Sequence, residues 1–409
     1  MKKNLIQSPL ELPCGAIINN RLVKAAMTER ISDTNLEPTA QHNHLYKKWA
    51  ATGAGLLITG NVLVDRIHLE SAGNIYVGDD KILPKLTLMA EAATSVGNHA
   101  WVQISHAGRQ TNRFSTLRPL APSEVQLHLL GLFGKPRAMT EADIQEVISG
   151  FVKAATICKK AGFTGIQIHS AHGYLLSQFL SPRTNIRTDQ WGGNLENRSR
   201  LLMSIIEQVR QAVGADFPIS VKLNSSDFQR GGFTEAESLE VIQMLDGKID
   251  LLEISGGTYE KLVFLEMNEE VEKVKDSTLQ REAYFIEFSQ KVRAITKVPI
   301  MITGGFRSFE FCNQALENGE LDLIGMARPF ITNLDDIPAF LDGEIDKLDN
   351  LVLRTGIKVF ESTAEGGFYA RQLIRMAKGK RLKLGMSAMG GSLFFVYHEL
   401  TKSLKNRFG

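Results

Sequence analysis

Short runs of β-branched and apolar residues alternate with longer stretches of helical period, strand first and helix second, about eight times along the chain. The runs that read as strands are Leu22 to Met27, Gly55 to Thr59, Trp101 to Ile104, Gly165 to His169, Ile219 to Leu223, Leu251 to Ser255, Ile300 to Thr303 and Leu323 to Met326. Most are apolar on both faces, as buried parallel strands are. Helices are predicted near Thr39 to Ala51, Pro84 to Val96, Thr140 to Ala161, Leu195 to Val213, Thr234 to Leu245, Leu279 to Thr296, Ser308 to Glu317 and Leu334 to Phe340. Thr140 with Asp143 and Asn194 with Asn197 stand where helix caps belong, and Gly162, Gly214, Gly247 and Gly319 follow helical stretches.

Eight evenly spaced units predict a closed TM-free α/β architecture, the (β/α)8 or TIM barrel, over residues 1–344. Long turn regions at 104–139 and 256–278 account for its size. An open doubly wound sheet fits less well, because no GxGxxG follows the first strand. Residues 345–409 break the alternation and carry 12 Lys and Arg against 5 Asp and Glu. They read as a basic helical C-terminal extension, packed on the barrel bottom, serving a dimer contact, or meeting an anionic surface or acidic partner.

Composition narrows the field of partners. The 409 residues are 43% hydrophobic with a net charge of +2, which suits a globular chain with a large core and gives no reason to expect nucleic acid. Cys14, Cys158 and Cys312 lie far apart, so neither a disulfide framework nor a thiolate-held metal or iron–sulfur site is indicated. Asn4, Gln7, Ser8, Pro9, Glu11 and Pro13 interrupt any export signal, and the apolar run Ser392 to Tyr397 is far too short to span a membrane. A cytoplasmic protein with no transmembrane segment is expected.

A parallel barrel builds its active site at the C-terminal ends of its strands, and the polar residues there are readily identified. Ala26, Met27 and Thr28 end strand one, Gly60 follows strand two, Gln103 lies on strand three, and Lys222 and Asn224 lie on strand five. Gly304–Gly305 and Ala327–Arg328 follow strands seven and eight, and they read either as a phosphate cradle or as a turn beside a structural salt bridge. Period two puts His169 on the same face as Gln167 at the mouth of strand four, with His172 and Tyr174 just beyond. Two imidazoles can hold a carbonyl oxygen while a phenol delivers a proton; the alternatives are a metal site lacking an evident third ligand, or histidines satisfied by loop backbone. Gln103 has the donor and acceptor that an imide-bearing ring edge needs, or it bridges strands. An inward Lys222 is costly unless it faces an anion or pairs with a carboxylate such as Glu253.

These residues resemble the old yellow enzyme family of NADH:flavin oxidoreductases. The resemblance runs in order over about residues 5–335, through Asn20 to Thr28, Gln103 to Arg109, Ala161 to Tyr174, Ser181–Pro182, Arg187 to Asp189, Gly192–Gly193, Glu196 to Arg198, Gly304–Gly305 and Ala327 to Pro329. It implies a TIM barrel with non-covalent FMN across the strand mouths and NAD(P)H as reductant. It places Ala26, Met27, Thr28 and Gly60 along the flavin, with the Thr28 hydroxyl near a ring oxygen, Gln103 at the pyrimidine edge and Lys222 near N1. Gly304, Gly305, Ala327 and Arg328 would take the phosphate. His169 and His172 would grip the carbonyl or nitro oxygen of a small enone or nitro substrate, and Tyr174 would donate the proton. Ala26 stands where proline is common and Lys222 where arginine is common; Thr28 argues against the thiol-bearing subgroup, and Trp191 replaces a frequent tyrosine. The implied activity is ene-reduction. A flavin-dependent dehydrogenase or demethylase, and a non-catalytic FMN-binding barrel, are the rivals, and the tail leaves room for a homo-oligomer.

Overall fold

A computed structural model describes residues 4–129, 131–256, 285–351 and 358–408. Eight parallel strands close on themselves: β1 Leu22–Lys24, β2 Leu56–Leu63, β3 His99–Ser105, β4 Gly165–Ser170, β5 Ile219–Asn224, β6 Leu251–Ser255, β7 Ile300–Thr303 and β8 Leu323–Met326. β1 pairs with both β2 and β8, which completes the TIM barrel. β2 runs four residues past its predicted end, with a register irregularity between Ile58 and Asn61 that carries Gly60 within the strand. A short strand, Ile75–Tyr76, adds to its far end.

Around the barrel lie α1 Ala40–Ala50, α2 Leu83–Ala93, α3 Glu141–Lys160, α4 Leu195–Val213, α5 Glu235–Leu245, α6 at 285–293 and α7 Phe309–Glu317. The Thr140 side chain accepts from Asp143 N and that of Asn194 from Asn197 N, so both expected caps start their helices. The predicted start of the sixth helix and nearly all of the 256–278 turn lie outside the described residues.

Period two sorts the barrel interior by height. Its lower layers hold Val23, Leu56, Ile58, Trp101, Leu251, Met301 and Leu323, closed from below by Leu10, Leu12 and Ile18 of a hairpin formed by Leu10–Glu11 and Ile17–Ile18. Gly165 makes room for the indole, since a Cβ there would lie 2.5 Å from Trp101 Nε1. Above this plug the inward positions become polar: Gln103, Gln167, Lys222, Glu253, His169 and Ser255.

Residues beyond 357 form two helices, α8 Lys358–Ala377 and α9 Ala388–Phe408. α9 lies over the loops that follow β1 and β2, on the polar rim rather than the barrel bottom. His398 Nε2 lies 3.1 Å from Arg30 O, Asn406 Nδ2 donates to Ala72 O at 2.7 Å, and Glu399 Oε2 accepts from Ala72 N at 3.0 Å.

Candidate active site

The candidate residues stand in the C-terminal halves of their strands (Gly60, Gln103, His169, Lys222) or just beyond the strand ends. His169 is the last inward residue of β4; Ala171 N–H donates to its Nδ1 at 3.2 Å, which leaves the proton of a neutral ring on Nε2. His172 follows with φ +60°, an uncommon backbone state held by donation of its N–H to Asn224 Oδ1 at 3.1 Å and of Gln110 Nε2 to its carbonyl at 2.9 Å. Its Nε2 lies 2.6 Å from Ser255 Oγ. Tyr174, 4% exposed, begins the short helix Leu175–Leu180. The His169 ring centroid lies 5.1 Å from that of His172 and 4.8 Å from that of Tyr174, both near perpendicular. Burial first, then His172 and Lys222 for His169 and Lys222 for His172, holds both imidazoles well below the usual histidine value, so both are neutral at pH 7.

Beneath them runs a buried polar chain. Gln103 Nε2 donates to Gln167 Oε1 at 2.6 Å, Gln167 Nε2 donates to Glu253 Oε2 at 2.8 Å, and Glu253 Oε1 meets Lys222 Nζ at 2.8 Å. Gln103 therefore bridges strands while keeping its own carbonyl oxygen, and Lys222 has its cost offset by Glu253. Glu253 entered the sequence reading only as a possible partner, and Gln167 only as a marker of His169's face. Their period-two positions were the available signal.

Thr28 donates its hydroxyl proton to Glu70 Oε2 at 2.8 Å, and Asn61 Nδ2 donates to the same oxygen at 2.6 Å. Gly60 packs hard against this edge: a Cβ there would lie 2.5 Å from Met27 O and 2.6 Å from Thr28 Cα. Ala26 and Ala327, just past the ends of the adjacent strands β1 and β8, both pack against the interior cluster, whereas Met27 turns toward the outer core. Gly304 and Gly305 take φ +111° and +86°, conformations that favour glycine, on the loop beside that of Arg328. Arg328 is 35% exposed at its side chain and lies 3.7 Å from Glu365 of α8. The site thus divides into a ring-lined mouth over β4, a polar floor, a flat edge at β1 and β2, and a glycine–arginine corner at β7 and β8.

Asp65, His68 and His106, on the loops after β2 and β3, bring three ligand-type atoms within 4.8 Å of one another. Leu120 N–H donates to His68 Nε2 at 2.9 Å and Gly108 N–H to His106 Nδ1 at 3.0 Å. In the neutral rings the remaining nitrogens, 3.0 and 3.9 Å from Asp65 Oδ2, therefore carry protons and have no lone pair for a cation. Burial works against the Asp65 charge, but His106 and His68 outweigh it and drive its carboxyl far below the usual range.

Comparison with known proteins gives the family of this barrel. The family model described as NADH:flavin oxidoreductase / NADH oxidase matches residues 7–339, and the chain belongs to that family, whose members use FMN with a nicotinamide nucleotide as reductant. It is 36% identical to the NADH-dependent flavin oxidoreductase iliE of Hypocrea jecorina, over 80% of this chain and 86% of that one. It is 34% identical to its counterpart in Neonectria sp., over 80% of this chain but only 45% of that one. The fold matches the old yellow enzyme homologue from Zymomonas mobilis with a TM-score of 0.70 at 24% identity, covering 85% and 95% of the two chains. Among the described residues no helix is long and apolar enough to cross a membrane.

Proposed function

We propose that this protein reduces the activated C=C bond of α,β-unsaturated carbonyl or nitro compounds, with FMN held across the strand mouths. The residues suit that group. Ser105 Oγ on β3 and Thr303 Oγ1 beside Gly304–Gly305 are buried without a hydrogen-bond partner. Ala26, Thr28, Gly60 and the backbone of Met27 would line the ring, Gln103 would offer its carbonyl oxygen to the pyrimidine edge, and Lys222 would lend positive charge near N1. Gly304, Gly305, Ala327 and Arg328 would hold the phosphate. When bound, FMN supplies a hydride taken from NAD(P)H.

The observation that carries this reading is the trio of rings at the mouth. His169 Nε2–H and the His172 ring hold the substrate oxygen as neutral donors and stabilise the negative charge that grows there. Tyr174, its ring against His169, delivers a proton to the α-carbon. Burial of His169 and Tyr174 keeps water from competing for that proton.

Tyr174→Phe tests it. Enone-driven reoxidation of the reduced protein should slow by about 10²–10⁴-fold, the range of a lost general acid, while reduction by NAD(P)H stays within about twofold. Equal loss in both half-reactions would remove Tyr174 from the proton-donor role.

A further inference from the structure

We infer that Glu70 is a positioning residue that sets the redox potential of the bound flavin by taking the Thr28 hydroxyl proton, and that the C-terminal helix α9 holds it in place through Arg30. The inference rests on the placement of FMN beside Thr28 proposed above.

A hydroxyl has one hydrogen. In Thr28 it is spent on Glu70 Oε2 at 2.8 Å, so Thr28 offers only lone pairs to a ring beside it. Reduction of a flavin adds electron density to that ring. A donor there stabilises the reduced state, and lone pairs do the reverse. Glu70 therefore keeps the potential lower than a freely donating Thr28 would.

The carboxylate is fixed from several sides. Asn61 Nδ2 donates to the oxygen that Thr28 uses, and Arg30 Nη2 lies 3.5 Å from the other; the Glu70 side chain is only 7% exposed. Arg30 takes φ +63°, a left-handed state uncommon for any residue with a Cβ, and the fold accommodates it closely: a Cβ on Gly73 would lie 2.4 Å from the Arg30 carbonyl. Its guanidinium pairs with Glu399 of α9 at 2.5 Å and sits 4.9 Å from the Phe395 ring centre. Helix α9, more than 360 residues further along the chain, thus supplies one end of the sequence Glu399, Arg30, Glu70, Thr28.

The test is the midpoint potential of bound FMN, by anaerobic dye equilibration, in the wild-type chain, Glu70→Gln, Glu70→Asp, Thr28→Val and Thr28→Val combined with each Glu70 change. Glu70→Gln weakens the acceptor and Glu70→Asp withdraws it by one methylene while keeping the charge. Both should move the potential in the positive direction, and neither should do so in the Thr28→Val background. An unmoved potential in both single variants overturns the inference. So does a shift from Glu70→Gln alone that persists without the Thr28 hydroxyl, which would mark a direct charge effect. A chain that holds no FMN defeats the cofactor placement instead, and the visible spectrum separates that failure from the others.

Discussion

Lys222 Nζ meets Glu253 Oε1 at 2.8 Å inside the barrel, with side-chain exposures of 7% and 0%. Removing one partner strands a buried charge, at a cost of about 3–5 kcal/mol, whereas removing both is often nearly neutral. Lys222→Met should lower the urea midpoint strongly, and adding Glu253→Gln should recover most of the loss. FMN affinity should fall in both variants, because neither keeps the cation. A double variant as unstable as the single one would mean that Lys222 contributes through packing instead.

The neutral histidines predict a flat pH profile. Burial, with His172 and Lys222 acting on His169 and Lys222 on His172, holds both rings well below the ordinary 6.5, so enone-driven reoxidation should show no inflection near that value. The sign for stability follows. The unfolded chain takes up protons first as pH falls below 6.5, so these two rings destabilise the fold on acidification. An inflection near pH 6.5 that disappears in His172→Asn would contradict their neutral state.

Acid should also loosen the C-terminal helix. Burial opposes the charge of Glu399, but Arg30, the Ser71 hydroxyl at 2.6 Å and Ala72 N–H outweigh it and hold the carboxyl below its usual value of 4.5. A depressed carboxyl stabilises the fold above its unfolded value, and that stability is lost as pH falls through the lowered one. His398, beside it and depressed chiefly by burial, adds to the loss by taking up a proton on unfolding. Proteolysis within Lys378 to Lys383, between α8 and α9, should accelerate as pH falls below 4.5, and at pH 7 in Glu399→Gln. Equal cleavage rates for wild type and variant at neutral pH would separate Glu399 from helix anchoring.

Lys24 makes the corresponding prediction at alkaline pH. Wholly buried on the outer face of β1, it donates to Ile58 O at 2.7 Å and lies 4.1 Å from the Trp49 ring centre. Burial lowers its pKa from 10.5 to about 8, against the pull of Glu29. Between these values the unfolded chain binds the proton and the folded one does not, so its contribution to stability rises with pH from about 8 to 10.5. Lys24→Met should be neutral or stabilising at pH 7, by up to roughly 3 kcal/mol, and should flatten that rise. Marked destabilisation at pH 7 would show that the ring and carbonyl contacts outweigh the burial cost.

The barrel itself was legible because period and punctuation repeat locally. β6, β7, β8 and α4 begin and end where the sequence pattern puts them. β1 is shorter than its apolar run, because Ala26 to Thr28 leave the ladder, past the Ala25 N–H that donates to Met326 O, to form the rim. β2 is longer, because its irregularity carries the polar Thr59 to Asn61 into the strand. The short helix Leu175–Leu180 holds too few residues for a period to emerge, and the Leu10 to Ile18 hairpin is defined by the barrel end it plugs. The mouth residues His169, His172 and Tyr174 were readable from one contiguous stretch. Glu70 and Glu399 were not, since each gains its meaning from Thr28 or Arg30 far away in sequence.

The most direct test of a flavin-bearing mouth that reduces activated double bonds is one anaerobic visible-absorption experiment on the purified full chain. The protein should be yellow as isolated or after incubation with FMN, bleach on addition of NAD(P)H, and regain its colour on addition of a small enone or nitroalkene. A chain that stays colourless in excess FMN, or a bleached one that neither an enone nor a nitroalkene restores, would contradict this account.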